Sequence, residues 1–272
     1  MAQCGMIAGA GELPEIIARQ AYSEGQPLPT VALSSQVVAR LSPYCPELVQ
    51  CGPGQLNKII RTFQRHHVRQ IVMVGKVEKR FLFENPRLDL RVLRGLARLR
   101  DYRDVTLLEA IIAEFAAEGL EVVEQTRLLG HLLTPSGVLS KRQPSRREWE
   151  DVLYGFARAR QLAALDIGQT IVVRRQTVLA VEALEGTDMT IARGCQYGGR
   201  GTVVVKVSRP QQDMRFDVPA VGPQTLQGVI AGGASVLAVE AGNTLMLRLP
   251  ELVALADTRR VTLMGVSVAS LQ

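Results

Sequence analysis

The sequence predicts a two-domain α/β protein, with a parallel sheet in its N-terminal part and a mixed α+β C-terminal part. Strand-like and helix-like segments alternate along the first half of the chain. Glycine-rich, β-branched segments follow a turn-rich boundary in the second half. A chain of 272 residues is long for one hydrophobic core and sufficient for two. We therefore expect domains at residues 1–138 and 145–272.

The elements of the first half follow from hydrophobic periodicity. Apolar runs bounded by glycine or polar residues predict strands, and apolar residues three or four apart predict helices. The predicted strands cover residues 6–8, 30–33, 70–74 and 120–123, and the predicted helices cover 13–23, 54–66 and 104–118. This βαβ alternation predicts a Rossmann-like domain with helices on both faces of the sheet.

The second half begins after residues 134–150, which are rich in turn formers. Residues 140–147 are polar and basic, so we expect a linker there. Short β-branched runs then predict strands at residues 170–173, 177–181 and 202–205.

Composition restricts the compartment and the partners. The N-terminus has no basic, cleavable leader, and no long segment is free of charge, so we expect a cytoplasmic protein without a membrane span. Four cysteines without a C-x-x-C pair and only three histidines argue against a zinc site. The net charge of +6 suits anionic partners, whether phosphate ligands, nucleic acid or a membrane surface.

A small-residue turn follows the first predicted strand. Gly9, Ala10 and Gly11 precede a helix that starts near Leu13, an arrangement in which backbone N–H groups can approach a phosphate. The third glycine of a dinucleotide fingerprint is missing, and no acidic residue ends the second strand, so NAD binding is disfavoured. A nucleotide diphosphate site and a purely structural turn both remain open.

An arginine-rich segment predicts an amphipathic helix with a basic side. Arg87, Arg91, Arg94 and Arg98 are spaced three or four residues apart. A solvated face and contact with anionic lipid headgroups are both compatible with this pattern. Nucleic acid is the weaker alternative, because few aromatic residues interleave with the arginines.

Carboxylates in the second half could hold a metal ion. Pro210 and Pro219 bracket a segment that we expect to be extended, and Asp213, Arg215 and Asp217 would then share one face. Two carboxylates with an arginine between them suit Mg²⁺ or Mn²⁺ and a phosphate together. A cross-strand ion pair is the structural alternative.

Five segments follow one another along the chain at residues 6–14, 74–77, 165–169, 181–188 and 212–223. In this order they resemble the LpxI family of UDP-2,3-diacylglucosamine pyrophosphatases. The resemblance implies a nucleotide-binding Rossmann-like domain, a distinctive C-terminal domain, and metal-dependent release of UMP and 2,3-diacylglucosamine 1-phosphate. It also implies a homodimer at the inner face of the cytoplasmic membrane. Local departures from the family pattern occur at Arg103 and Met189.

With this resemblance, the candidate residues fall into two groups. We expect the metal, the attacking water and the phosphates to be held by Asp166, Asp188, Lys206, Asp213, Arg215 and Asp217. We expect the rest of the substrate to contact Gly9, Ala10, Gly11, Glu12, Leu13, Gly75, Lys76, Gln169 and Thr187. The alternative from another class is a nucleotide-sugar or lipid-binding protein without catalysis, which would keep the glycine turn and not need the acidic cluster.

Overall fold

A computed structural model describes residues 4–77, 89–92 and 104–267. The chain divides into two compact units, and each is described by itself. The first comprises Met1–Leu128 and Met214–Phe216, and the second comprises Leu129–Asp213 and Asp217–Gln272. No helix within the described ranges is both long and apolar enough to cross a membrane.

The first unit is built on a five-stranded parallel sheet. Its elements are β1 (Cys4–Ala8), α1 (Leu13–Ser23), β2 (Thr30–Ala32), α2 (Ser35–Leu41), β3 (Leu48–Gln50), α3 (Leu56–Arg65), β4 (Gln70–Val74), α4 (Asp104–Ala117), β5 (Glu121–Val123) and α5 (Thr126–Leu129). The strand order is β3-β2-β1-β4-β5, and every pair is parallel. The predicted α/β fold class and the predicted elements of this half are confirmed.

The strand order creates a switch point beside β1. The chain moves outward from β1 through β2 to β3, then returns to the other side of β1 with β4. In open α/β sheets, ligands bind at the carboxyl ends of the strands where the order reverses in this way. The switch point therefore lies between the ends of β1 and β4.

The second unit carries a mixed six-stranded sheet. Its elements are β6 (Gly137–Val138), α6 (Arg146–Ala164), β7 (Thr170–Arg174), β8 (Thr177–Val181), α7 (Thr187–Gly198), β9 (Val203–Lys206), β10 (Ala220–Val221), α8 (Pro223–Ala231), β11 (Val236–Glu240), β12 (Leu245–Met246), α9 (Leu249–Arg259) and β13 (Thr262–Val266). The order is β6-β13-β11-β9-β7-β8, with β9, β11 and β13 parallel and β6, β7 and β8 making antiparallel pairs. The predicted mixed α+β part is confirmed.

Helices cover both faces of this sheet, and glycines permit their close approach. An added Cβ at Gly155 of α6 would lie 2.9 Å from a methyl group of Val205, and one at Gly194 of α7 would lie 2.5 Å from Val172. The apolar stretch 226–239 supplies buried core residues such as Leu226 and Leu237.

The basic segment predicted as a linker is part of the second unit, so that prediction was wrong. The Ser140 hydroxyl is buried and accepts a hydrogen bond from the Leu263 backbone N–H at 2.9 Å. Arg142 donates to Glu148 at 2.7 Å and to the Thr262 hydroxyl at 2.6 Å. These contacts anchor the start of the basic run, because Ser140 and Arg142 find partners within the fold.

Most of the predicted arginine helix lies outside the described residues, as does Arg103. Arg91 is described, and it forms ion pairs with Glu114 of α4 at 3.2 Å and with Glu118, just after that helix, at 2.5 Å. The hydrogen bond that Arg91 donates to Glu118 is the main cause that raises the pKa of Arg91. This arginine therefore contacts the protein and is not available as part of a membrane-facing row.

Candidate functional site

The glycine turn lies at the switch point of the first unit. Ala10 and Lys76 form an antiparallel bridge, with N–H groups donated in both directions at 2.9 and 2.7 Å. The Gly9 N–H donates to the Val74 carbonyl at 2.7 Å. The structure thus brings together two predicted substrate-binding segments, the 9–13 turn and the Gly75-Lys76 pair.

Glycine is present at these positions of the site for different structural reasons. A Cβ at Gly9 would lie 2.6 Å from the Lys76 carbonyl oxygen, and one at Gly75 would lie 2.7 Å from the Ala10 carbonyl oxygen, so both are needed for close backbone approach. Gly11 has φ +116° and open space around its Cβ position. An exposed, left-handed glycine beside a helix N-terminus leaves room for a ligand phosphate.

Arg40 of α2 adds a cation to the glycine turn, and sequence reasoning missed it. Its guanidinium donates to the Gly11 carbonyl at 3.0 Å and pairs with Glu15 at 2.6 Å. The hydrogen bond that Arg40 donates to Glu15 is the main cause that lowers the pKa of this carboxyl group in the first turn of α1. The only sequence signal was a basic residue in the last turn of the second helix.

A second polar site lies along one edge of the sheet in the second unit. The carboxyl ends of β8, β9 and β11 meet the start of β7 at this edge, because β7 runs antiparallel to β9 and pairs Thr170 with Lys206. The edge brings together most of the candidate residues of this unit. They form two networks of hydrogen bonds, which meet at Gln169.

The first network joins a carboxylate to a buried cation. The Thr187 hydroxyl donates to Glu182 Oε1 at 2.9 Å and accepts from Lys206 Nζ at 2.7 Å. The Thr170 hydroxyl lies 3.4 Å from the same oxygen of Thr187, and Lys206 is only 8% exposed. The ammonium group is therefore held in a fixed position beside the N-terminus of α7, with Thr187 between it and Glu182.

The second network of polar contacts surrounds Arg209. Its Nε lies 2.8 Å from Asp166 Oδ1, an electrostatic contact without hydrogen-bond alignment, and its Nη1 donates to Asp217 Oδ2 at 3.0 Å. Gln212 donates to Asp217 and accepts from Gln169 Nε2 at 2.6 Å. The Gln169 backbone N–H donates to Glu182 Oε2 at 3.3 Å, and this bond connects the two networks.

The prediction of an extended segment at residues 210–219 was wrong, and so was the prediction that Asp213, Arg215 and Asp217 share one face. Residues 214–216 form a turn, closed by the Asp217 N–H donating to the Asp213 carbonyl at 3.0 Å, so alternate side chains do not share a strand face. Arg215 belongs with Met214–Phe216 to the first unit. The arginine between two carboxylates is Arg209, which contacts Asp166 and Asp217.

Asp188 lies on α7, and its hydrogen bond is not part of the network around Arg209. It is exposed and accepts from Gln224 Nε2 of α8 at 3.1 Å. Gly186 is the N-cap and Thr187 the first residue of that helix.

The four aspartates do not form an all-protein metal cage. Within residues 4–77, 89–92 and 104–267, no group of three or more His, Cys, Asp or Glu side chains converges on a common point. Asp217 is nevertheless half exposed and adjacent to cations. Magnesium is commonly held by one or two carboxylates together with substrate phosphates. A metal of that kind would need only one or two of these carboxylates.

Sequence reasoning missed Arg209, Gln212 and Glu182 as site residues. All three lie inside or beside segments that carry the resemblance, so position in those segments was the available signal. What the sequence could not show is that Arg209 reaches two carboxylates 43 and 8 positions away, Asp166 and Asp217.

Comparison with known proteins agrees with this architecture. Residues 3–132 match the model of the LpxI N-terminal domain, and residues 135–264 match that of the LpxI C-terminal domain. The chain is 30% identical over 277 aligned positions, covering 98% of both chains, to a Caulobacter vibrioides protein named UDP-2,3-diacylglucosamine pyrophosphatase LpxI. The chain therefore belongs to the LpxI family.

Proposed function

We propose that this protein hydrolyses the pyrophosphate of UDP-2,3-diacylglucosamine to UMP and 2,3-diacylglucosamine 1-phosphate, a step of lipid A biosynthesis. Family membership and the activity for which the Caulobacter relative is named support the substrate. The observation that carries the chemistry is the edge of the second sheet, where Lys206 is bonded to Thr187 and Arg209 contacts Asp166 and Asp217. Fixed cations near hydrogen-bond acceptors suit a reaction in which charge develops on phosphate oxygens.

The chain's own residues would act in two ways. Lys206 and Arg209 would neutralise charge on the pyrophosphate oxygens. Asp217, oriented by Arg209 and Gln212, would position water and accept its proton. The water oxygen forms a bond to one phosphorus, the bond from that phosphorus to the bridging oxygen breaks, and the bridging oxygen leaves with the other phosphate. Gln169 and Thr187 would keep these groups in register.

The nucleotide end would bind the first unit. Gly11 and the start of α1 offer backbone N–H groups, and Arg40 and Lys76 supply positive charge around the turn. The side chains of Glu12 and Leu13 would border the nucleotide. This proposal assigns recognition of UDP and hydrolysis to different units of the chain.

We also propose a divalent metal, Mg²⁺ or Mn²⁺, held by Asp213 and Asp217 together with the substrate. Such an ion neutralises phosphate charge and acidifies a bound water. Asp166 and Asp188 are the further candidate ligands. Arg215 stays a candidate phosphate contact.

The proposed setting is the cytoplasm, with peripheral binding of a homodimer to the inner face of the cytoplasmic membrane. A substrate with two acyl chains resides in the bilayer, so an enzyme that acts on it must reach the membrane surface. Nucleic acid is not an expected partner, because the chain combines its positive charge with few aromatic residues.

Incubation with UDP-2,3-diacylglucosamine in detergent micelles, followed by chromatography for UMP, tests this proposal. We expect stoichiometric UMP with Mg²⁺ and a large loss of rate with excess EDTA. Ligand binding without any UMP would identify a non-catalytic nucleotide-sugar-binding protein instead. Equal rates with and without EDTA would leave the hydrolysis and overturn the metal.

A further inference from the structure

A cavity in the first unit lies away from the glycine turn. It encloses about 550 Å³ along the outer face of α3 and is bordered by Val49 of the edge strand β3 and by Asp89. Ligand-binding clefts commonly have volumes of roughly 300–1,000 Å³. We call this cavity the α3 groove.

The α3 groove is basic on one side. Lys58, Arg61 and Arg65 are three and four residues apart, so they project from the same face of α3. Lys58 Nζ donates to the Gln50 carbonyl at 2.9 Å. In the part of the chain that the structure describes, Arg61 and Arg65 make no ion pair or hydrogen bond through their side chains.

Among the lining residues that the structure describes, Asp89 supplies the one carboxylate, and backbone donors occupy its acceptors. Asp89 Oδ2 accepts from the Asn57 N–H at 2.7 Å, and Oδ1 accepts from the Val92 N–H at 3.0 Å. Its role is to cap the start of α3 and the turn that follows Asp89. Among the described lining residues, three cations outnumber this carboxylate, and His66 contacts Glu47 at 2.8 Å.

An exposed apolar side chain adjoins the basic lining. Leu90, next to Asp89, is 69% exposed. Asp89 is hydrogen-bonded to the start of α3, so the exposed leucine and the unpaired arginines belong to neighbouring segments. Such a combination suits a membrane interface, where a leucine enters the acyl boundary and arginines contact phosphates. A soluble anion would gain nothing from this leucine.

We propose that the α3 groove binds the phosphate headgroup of an anionic phospholipid and so docks the first unit on the membrane. Arg61 and Arg65 bind the phosphate oxygens, and Leu90 inserts beside the headgroup. This assignment replaces Arg91, which α4 neutralises, and it holds whether or not the protein hydrolyses a UDP-sugar.

The test is flotation with phosphatidylcholine vesicles with or without phosphatidylglycerol. The double variant R61Q/R65Q should reduce binding to phosphatidylglycerol vesicles on the order of tenfold at low salt. The matched control R147Q/R259Q removes the same charge from exposed arginines of α6 and α9, and it should bind nearly as the parent does. Leu90→Ser should weaken binding at high salt, where the apolar contribution remains.

Three outcomes would overturn the proposal. One is equal loss in the groove variant and the control, which indicates non-specific charge. Another is unchanged flotation of R61Q/R65Q. The third is saturable binding of inorganic phosphate, measured by calorimetry, that R61Q/R65Q abolishes while vesicle binding persists, since this identifies a soluble anion. Melting temperatures check that the variants fold, and UMP release in micelles reports separately on hydrolysis.

Discussion

Single residues show why a sequence motif does not by itself give its function. Gly9 and Gly11 belong to one G-x-G turn, yet Gly9 is packed against the Lys76 carbonyl and Gly11 faces open space at φ +116°. The sequence places both in a turn after a strand, but only the register between β1 and β4 separates the structural glycine from the accessible one. The two open interpretations of the turn therefore apply to different residues.

Alanine substitutions should separate these two roles. Gly9→Ala forces backbone apart at the Ala10–Lys76 bridge, so we expect a fall in melting temperature of several degrees, or about 1–3 kcal/mol. Gly11→Ala costs about 1–2 kcal/mol through its left-handed backbone. It should also weaken UDP binding by roughly tenfold or more. Calorimetric titration with UDP at a temperature where both variants are folded makes the comparison. Normal UDP affinity in Gly11→Ala would show that this turn is only structural.

Elements were predicted well where periodicity dominates and less well where distant side chains complete the local structure. The β-branched runs predicted β7 and β8, but the turn between them places Arg175 and Gln176 at positive φ without a glycine. Buried Asp151 of α6 accepts from both of their N–H groups, at 2.8 and 2.5 Å. A contact across more than twenty residues is not visible in local sequence.

The start of α6 gives a second example. Ser145 and Glu148 form a capping box, a signature that is present in the sequence. The surrounding basic residues favoured the linker interpretation. Arg142 changes that interpretation because it pairs with Glu148 and fixes the approach to the helix.

The stability that Glu148 provides should depend on acid pH. Burial raises the pKa of Glu148, but hydrogen bonds from Arg142, Ser235 and Ser145 outweigh it and lower this pKa to about 2. A carboxyl whose pKa is lower in the folded protein stabilises it above the unfolded pKa of about 4.3, and this contribution is lost as pH falls toward 2. The melting temperature should therefore fall as pH decreases from about 5 to 2. Glu148→Gln should melt lower at neutral pH and show a shallower decrease. Parallel pH profiles would contradict this role.

At the scale of the whole molecule, the sequence predicted the fold class and both polar sites in outline. The alternation of strands and helices predicted the parallel sheet, and the change of texture predicted the mixed one. The segments around Asp166, Gln169, Lys206 and Asp217 meet at one sheet edge, and their roles there stay a prediction. The expected strand at 210–219 failed because a turn closes at Asp213 and Asp217, a backbone choice that alternation of charges does not determine.

The central claim is that the sheet edge of the second unit performs the hydrolysis. The most direct test is the turnover number for UMP release by Asp217→Asn at saturating UDP-2,3-diacylglucosamine. Glu251→Gln is the matched control, since Glu251 is 52% exposed and paired with Arg248, much as Asp217 is 53% exposed and paired with Arg209. We predict a loss of roughly 10²–10⁴-fold for Asp217→Asn and little change for the control. A lower melting temperature with normal turnover in Asp217→Asn would contradict the claim.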